Sequence, residues 1–155
     1  MTVPIKIEIK GLEELKAAFK RSPEIVRDQI QKAIGLSVAL VNREAKLTAP
    51  VSQVKGKPGG RLRAGIRSEI SPFRGIVEST VNYGIYVHEG TAPHIIRPVR
   101  RKALYWKGAA HPVKMVRHPG TKANPFMKRG AERAEGKVQV TFQTAINNIA
   151  TQLAK

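Results

Sequence analysis

The sequence contains no cysteine, which excludes disulfide frameworks and thiolate metal sites and fits a chain made in a reducing compartment. Aromatic residues are scarce, at 5%, with a single tryptophan. Acidic residues are few: eleven Asp and Glu face twenty-eight Lys and Arg, for a net charge of +17. No window approaches the roughly 20 consecutive apolar residues that a membrane helix needs. The first ten residues alternate apolar and charged side chains and lack the apolar run of a secretory signal. The expectation is a soluble protein with no membrane partner that stays where it is made.

What is present is basic, and unevenly so. Residues 12–46 carry seven basic and five acidic side chains, near balance. Residues 55–74 carry six basic and one acidic, and residues 97–133 eleven basic and one acidic, Glu132. Such an imbalance draws in polyanions or acidic protein surfaces. It is equally compatible with a solvated face or a self-assembly surface, because charge alone specifies neither fold nor partner.

With 155 residues, 41% of them apolar, the chain suits a single domain over 1–155. Val3, Ile5, Ile7 and Ile9 alternate with Pro4, Lys6, Glu8 and Lys10 and predict a strand. Leu12, Leu15 and Phe19 follow at helical spacing. Ser22-Pro23-Glu24 is a helix start. The helix it opens carries Val26, Ile30, Ala33, Ile34, Val38, Val41 and Ala45 on one stripe. It should end near Thr48, because Ala49 precedes Pro50. Gly35 inside it costs about 1 kcal/mol or marks a close helix crossing. Residues 51–60 read as a mobile loop. Ile66–Ser71 and Ile76–Val81 read as strands joined by a turn over Pro72, Phe73, Arg74 and Gly75. Tyr83–Glu89 is ambiguous. Short strands are expected at His94–Arg97, Ala103–Trp106 and Val113–Arg117. Asn124-Pro125 opens a last helix with Met127, Ala131, Ala134, Val138, Phe142, Ala145, Ile146, Ile149 and Leu153 on one face. The order predicts an α+β fold: a mostly antiparallel sheet, with a long N-terminal helix and a C-terminal helix packed on one face.

Catalytic motifs are missing where they would be sought. His88-Glu89 opens like the zinc-protease motif, but that motif needs a second His one turn later, and position 92 is Ala. His94, His118 and Glu89 could meet across the fold to hold a metal; the plainer reading is hydrogen bonding at turns, since His94 and His118 both flank Pro. There is no nucleophile elbow, no P-loop and no dinucleotide fingerprint. The expectation is a chain that is not an enzyme and needs no cofactor. Arg97, Arg100, Arg101 and Lys102, followed by Tyr105, Trp106 and Lys107, interleave cations with aromatics as a single-strand binder does. Alternation over Ala103–Trp106 nonetheless favours the core for Trp106.

Four blocks carry a resemblance. Val81-Asn82-Tyr83-Gly84-Ile85-Tyr86-Val87-His88-Glu89-Gly90-Thr91 resembles a Tyr-Ala-x-Tyr-Val-Glu-x-Gly-Thr segment. Ile95-Ile96-Arg97-Pro98 with Lys102-Ala103-Leu104-Tyr105-Trp106 resembles Ile-x-Pro followed by Lys-Ala-Leu-x-Phe/Trp. His118-Pro119-Gly120-Thr121 with Pro125-Phe126 resembles His-Pro-Gly-Thr-x-x-x-Pro-Phe. Ala49-Pro50-Val51 with Gly60-Arg61-Leu62-Arg63 and Ile66 resembles Ala-Pro-Val-x-Thr-Gly-x-Leu-Arg-x-Ser-Ile. In this order they resemble the gene-product-ten-like tail-component family of siphophages, over nearly the whole chain. His88-Glu89-Gly90 departs from the family's Val-Glu-x-Gly, the loop before Gly60 is longer, and Gly65 replaces the common Ser.

The resemblance implies a structural virion protein: a tail-completion or head–tail joining subunit, assembled in the bacterial cytoplasm as a ring, expected to be hexameric, at the top of the tail. The alternatives are a tail terminator or a small basic nucleic-acid-binding protein. Partners would be further copies of the chain, neighbouring neck and tail proteins, and DNA. Its motif residues here are Gly60, Leu62, Arg63, Tyr83, Glu89, Gly90, Thr91, Pro98, Leu104, His118, Pro119, Gly120, Pro125 and Phe126. Gly90 and Gly120 are expected at positive φ or close backbone approach, Pro119 and Pro125 at rigid turns, Phe126 as the anchor of the last helix on the sheet, and Glu89 in an ion pair with an Arg within or between subunits. Lys55, Lys57, Arg61, Arg97, Arg100, Arg101, Lys102 and Lys107 are the candidate contacts to DNA or to an acidic partner.

Overall fold

The computed structural model describes residues 3–5, 24–53 and 59–153. The expected strand beyond Ile5, the short helix over Leu12 to Phe19 and the Ser22-Pro23 cap lie outside them. The chain divides into two compact units, residues Met1–Gly84 with Phe126–Lys155, and Ile85–Pro125.

The first unit holds strand β1 (Val3–Ile5), helix α1 (Glu24–Thr48), the short helix α2 (Arg61–Ala64), strands β2 (Ile66–Ser71) and β3 (Arg74–Ser79), and helix α4 (Phe126–Leu153). It is α+β, with an antiparallel sheet in the order β1-β3-β2. Every apolar residue of the predicted α1 stripe is buried. Each such Val or Ile removed from water contributes about 1.5–3 kcal/mol, and this stripe fixes the helix more than propensity does. Glu24 in the first turn and Lys46 in the last complement the helix dipole. Helix α1 lies on β2 and β3, and α4 packs along α1. The helices run antiparallel: Thr48 Oγ1 donates to the Phe126 carbonyl at 2.6 Å at one end, and Asn148 meets Gln29 at the other.

Glycines allow two close approaches onto α1. A Cβ on Gly130 would run into the Ala45 backbone, so the glycine lets α4 press close against α1 there. Gly75, expected in the turn, pairs with Ile70 inside the β2–β3 ladder, and a Cβ on it would strike Val38. The turn is therefore Pro72-Phe73 alone, and β3 starts two residues earlier than the sequence suggests. Gly35, by contrast, faces open space and marks no helix crossing.

In the second unit, the ambiguous 83–89 stretch is helical: α3 (Gly84–Glu89) begins on the last residue of the first unit. Two short strands, β4 (His94–Ile96) and β5 (Val116–His118), pair antiparallel. The strands expected at 103–106 and 113–117 reduce to one bridge, Leu104 to Val113, and to β5.

Candidate functional site

Residues 91–121 form a two-stranded arm. Its base is closed by Thr91 and Thr121, whose N–H groups donate to each other's carbonyls at 2.9 and 3.1 Å; the Thr121 N–H also lies 2.9 Å from Thr91 Oγ1. Gly90 (φ 76°) and Gly120 (φ 89°) flank this bridge, and a Cβ on either would collide with the backbone of the opposite strand. Both expectations for these glycines hold. Above the base, His94, Ile95 and Ile96 pair with His118, Arg117 and Val116. Further out, Leu104 and Val113 exchange hydrogen bonds at 2.8 and 2.9 Å. Between these pairings, residues 97–103 on one strand stand opposite only 114 and 115 on the other. That bulge carries Arg97, Arg100, Arg101 and Lys102 together with Val99, which is 96% exposed.

The arm has no core. Among residues 85–125, His88 alone is buried. Tyr86, Ile95, Ile96, Val99, Tyr105, Trp106 and Met115 are exposed. Trp106, expected in the core, is 51% exposed, and Tyr105 68%. The alternation that suggested burial needs a packed layer behind the strand, and the arm has none of its own. Between His94 and His118 there are seven basic residues and no acidic one, and Arg97, Arg100, Arg101, Lys102, Lys107, Lys114 and Arg117 are all exposed.

The histidines brace the backbone. His94 and His118 stack with ring centroids 5.0 Å apart. Nδ1 of His94 donates to the Ala92 carbonyl at 2.9 Å, while Nδ1 of His118 accepts from the Gly120 N–H at 3.0 Å. These are the turn hydrogen bonds expected for them. Glu89 does not join them; its carboxylate accepts from His88 Nδ1 at 2.6 Å, so within the chain its partner is a histidine and not an arginine. Among the described residues, no three of His, Asp and Glu are grouped to hold a metal ion.

The remaining motif residues are spread over both units. Gly60 adopts φ 95° ahead of α2, Leu62 is buried and Phe126 is wholly buried. The tie shown for Phe126 is its carbonyl to Thr48 at the end of α1. Pro98, Leu104 and Pro125 are half-buried; Tyr83, Glu89 and Pro119 are exposed or nearly so. Arg61 and Arg63 lie exposed on α2, and Arg63 shares an open groove of about 460 Å³ with Arg43, Lys46, Leu47 and Ser68. Arg43 and Lys46 were not singled out by the sequence; their signal was helical spacing beside a basic loop. Lys55 and Lys57 lie outside the described residues. No helix among the described residues is long and apolar enough to cross a membrane. The chain matches no family model, no curated protein and no solved structure.

Proposed function

We propose that this chain is an assembly subunit of a tailed bacteriophage, a tail-completion or head–tail connector protein that forms a hexameric ring at the tail top. The observation that carries this reading is the second unit, which exposes Ile95, Ile96, Val99, Tyr105, Trp106 and Met115 while burying only His88. Apolar residues displayed together in this way mark a surface made for another molecule. A ring is a closed head-to-tail assembly in which each interface pairs two different patches. The arm's exposed apolar side chains Ile95, Ile96 and Met115 supply one such patch. The four motif blocks supply the virion context, and their glycines and prolines shape the arm and its flanks, which suits a protein that acts by presenting surfaces.

The test is electron microscopy of particles made with the gene interrupted, with and without the protein supplied in trans. Full heads beside unattached tails of normal length, rescued by the added protein, are expected. Overlong tails would point to a terminator instead. Joined, infectious particles without the protein would end the reading.

A further inference from the structure

We infer that the arm over His94–His118 is a nucleic-acid contact, with its bulge cations on the phosphate backbone and Tyr105 and Trp106 against bases. This rests on the assembly reading and deepens it by naming what that surface meets.

Three observations converge. First, the arm carries seven cations and no carboxylate, and every one of the seven is exposed. A stabilising role would pair at least some of them, yet no ion pair is seen for any of them among the described residues. Seven unneutralised like charges on a narrow ribbon repel one another, and a polyanion relieves that repulsion while releasing its own counterions. Second, the shape fits. A two-stranded ribbon is of a size that the major groove of a duplex admits, and the 97–103 bulge gathers four of the cations beside Val99. Third, Tyr105 and Trp106 lie at the outer end, directly beyond the Leu104–Val113 bridge, half or more exposed. Side chains so placed stack on unpaired bases, at about 1–3 kcal/mol per base. An acidic protein surface would satisfy the cations equally, and bases add the stacking that Tyr105 and Trp106 offer.

The single tryptophan makes the test direct, because its fluorescence reports on the arm alone. The intact protein is titrated with single-stranded and duplex oligonucleotides of matched length, and with poly-glutamate, at several salt concentrations. Three variants accompany it: the arm triple Arg100→Ala/Arg101→Ala/Lys102→Ala, the helix triple Arg27→Ala/Lys32→Ala/Lys128→Ala with the same loss of charge, and Trp106→Phe followed by anisotropy of a labelled oligonucleotide. Expected is quenching by oligonucleotide with a steep salt dependence. The arm triple should flatten the log–log salt slope by about 2.7 on duplex and about 2.1 on single strands, and weaken binding on the order of tenfold or more, since each lost phosphate contact removes about 0.9 or 0.7 from the slope. The helix triple should cost about threefold or less. Trp106→Phe should weaken binding to single strands more than to duplex, and equal affinity for single strands before and after would overturn the stacking assigned to it. Equal losses in the two triples would mean net charge alone and overturn the inference. So would the absence of binding at low salt, or poly-glutamate binding as tightly as oligonucleotide. A chain that fails here and still joins heads to tails loses this inference and keeps the assembly reading.

Discussion

Gly120 shows how one residue type governs the base of the arm. At φ 89° an alanine incurs about 1–2 kcal/mol of backbone strain, and its Cβ would also collide with the Thr91 carbonyl. Gly120→Ala should therefore open the Thr91–Thr121 bridge and raise hydrogen exchange at those two amides by tenfold or more, while amides in the middle of α1 stay protected. Unchanged exchange at Thr91 and Thr121 would show that the bridge does not depend on the glycine. The pattern His-Pro-Gly made this position legible in the sequence, because few other residues serve a turn that needs positive φ. Trp106 was not legible. Its neighbours alternate as a buried strand does, and alternation reports two faces without saying whether anything covers either. Glu89 was legible in part: a carboxylate among many cations is expected to find an arginine within or between subunits, and within the chain its adjacent imidazole already lies at 2.6 Å.

At the scale of elements, three glycines in helices look alike in sequence and are not alike in space. A methyl group added at Gly35 in α1 or Gly136 in α4 would meet nothing within 4 Å, whereas at Gly130 it would fall on the Ala45 backbone of α1. Gly35→Ala and Gly136→Ala should each stabilise by about 0.5–1 kcal/mol, the helix-interior difference between the two residues. Gly130→Ala should destabilise by about 1–3 kcal/mol, because the two helices must separate where they touch. Urea midpoints at constant slope decide it, and the same sign at all three positions would overturn the account of the α1–α4 packing. Helix α1 could be read from residue to residue, since its stripe is regular over 25 residues and Ala49-Pro50 ends it. The β2–β3 hairpin could not be placed as closely. Gly75 is an ordinary turn residue in sequence, and only the position of Val38 behind it explains why it sits in the ladder.

Across the whole molecule, apolar burial among the described residues is confined to one of the two units. The described apolar core, from Val26 to Val77 and from Phe126 to Ala145, belongs to the first unit, and no apolar residue of 85–125 is buried. Composition gave no sign of this division, because 41% apolar residues would furnish one core spread evenly along the chain as readily as one confined to part of it. The consequence is that folding and recognition should separate under mutation. Replacing Val99, Tyr105, Trp106 and Met115 together by serine removes much of the arm's exposed apolar surface and touches none of the core. Surface changes of this kind typically alter stability by about 0.5 kcal/mol or less, so the urea transition followed by far-ultraviolet circular dichroism should hold its midpoint. Binding of a labelled single strand, followed by its anisotropy, should weaken, because the aromatic side chains offered to bases are gone. A midpoint lowered by the equivalent of about 2 kcal/mol would mean that these side chains support the fold, and the division drawn between a folding unit and a contact unit would then be wrong.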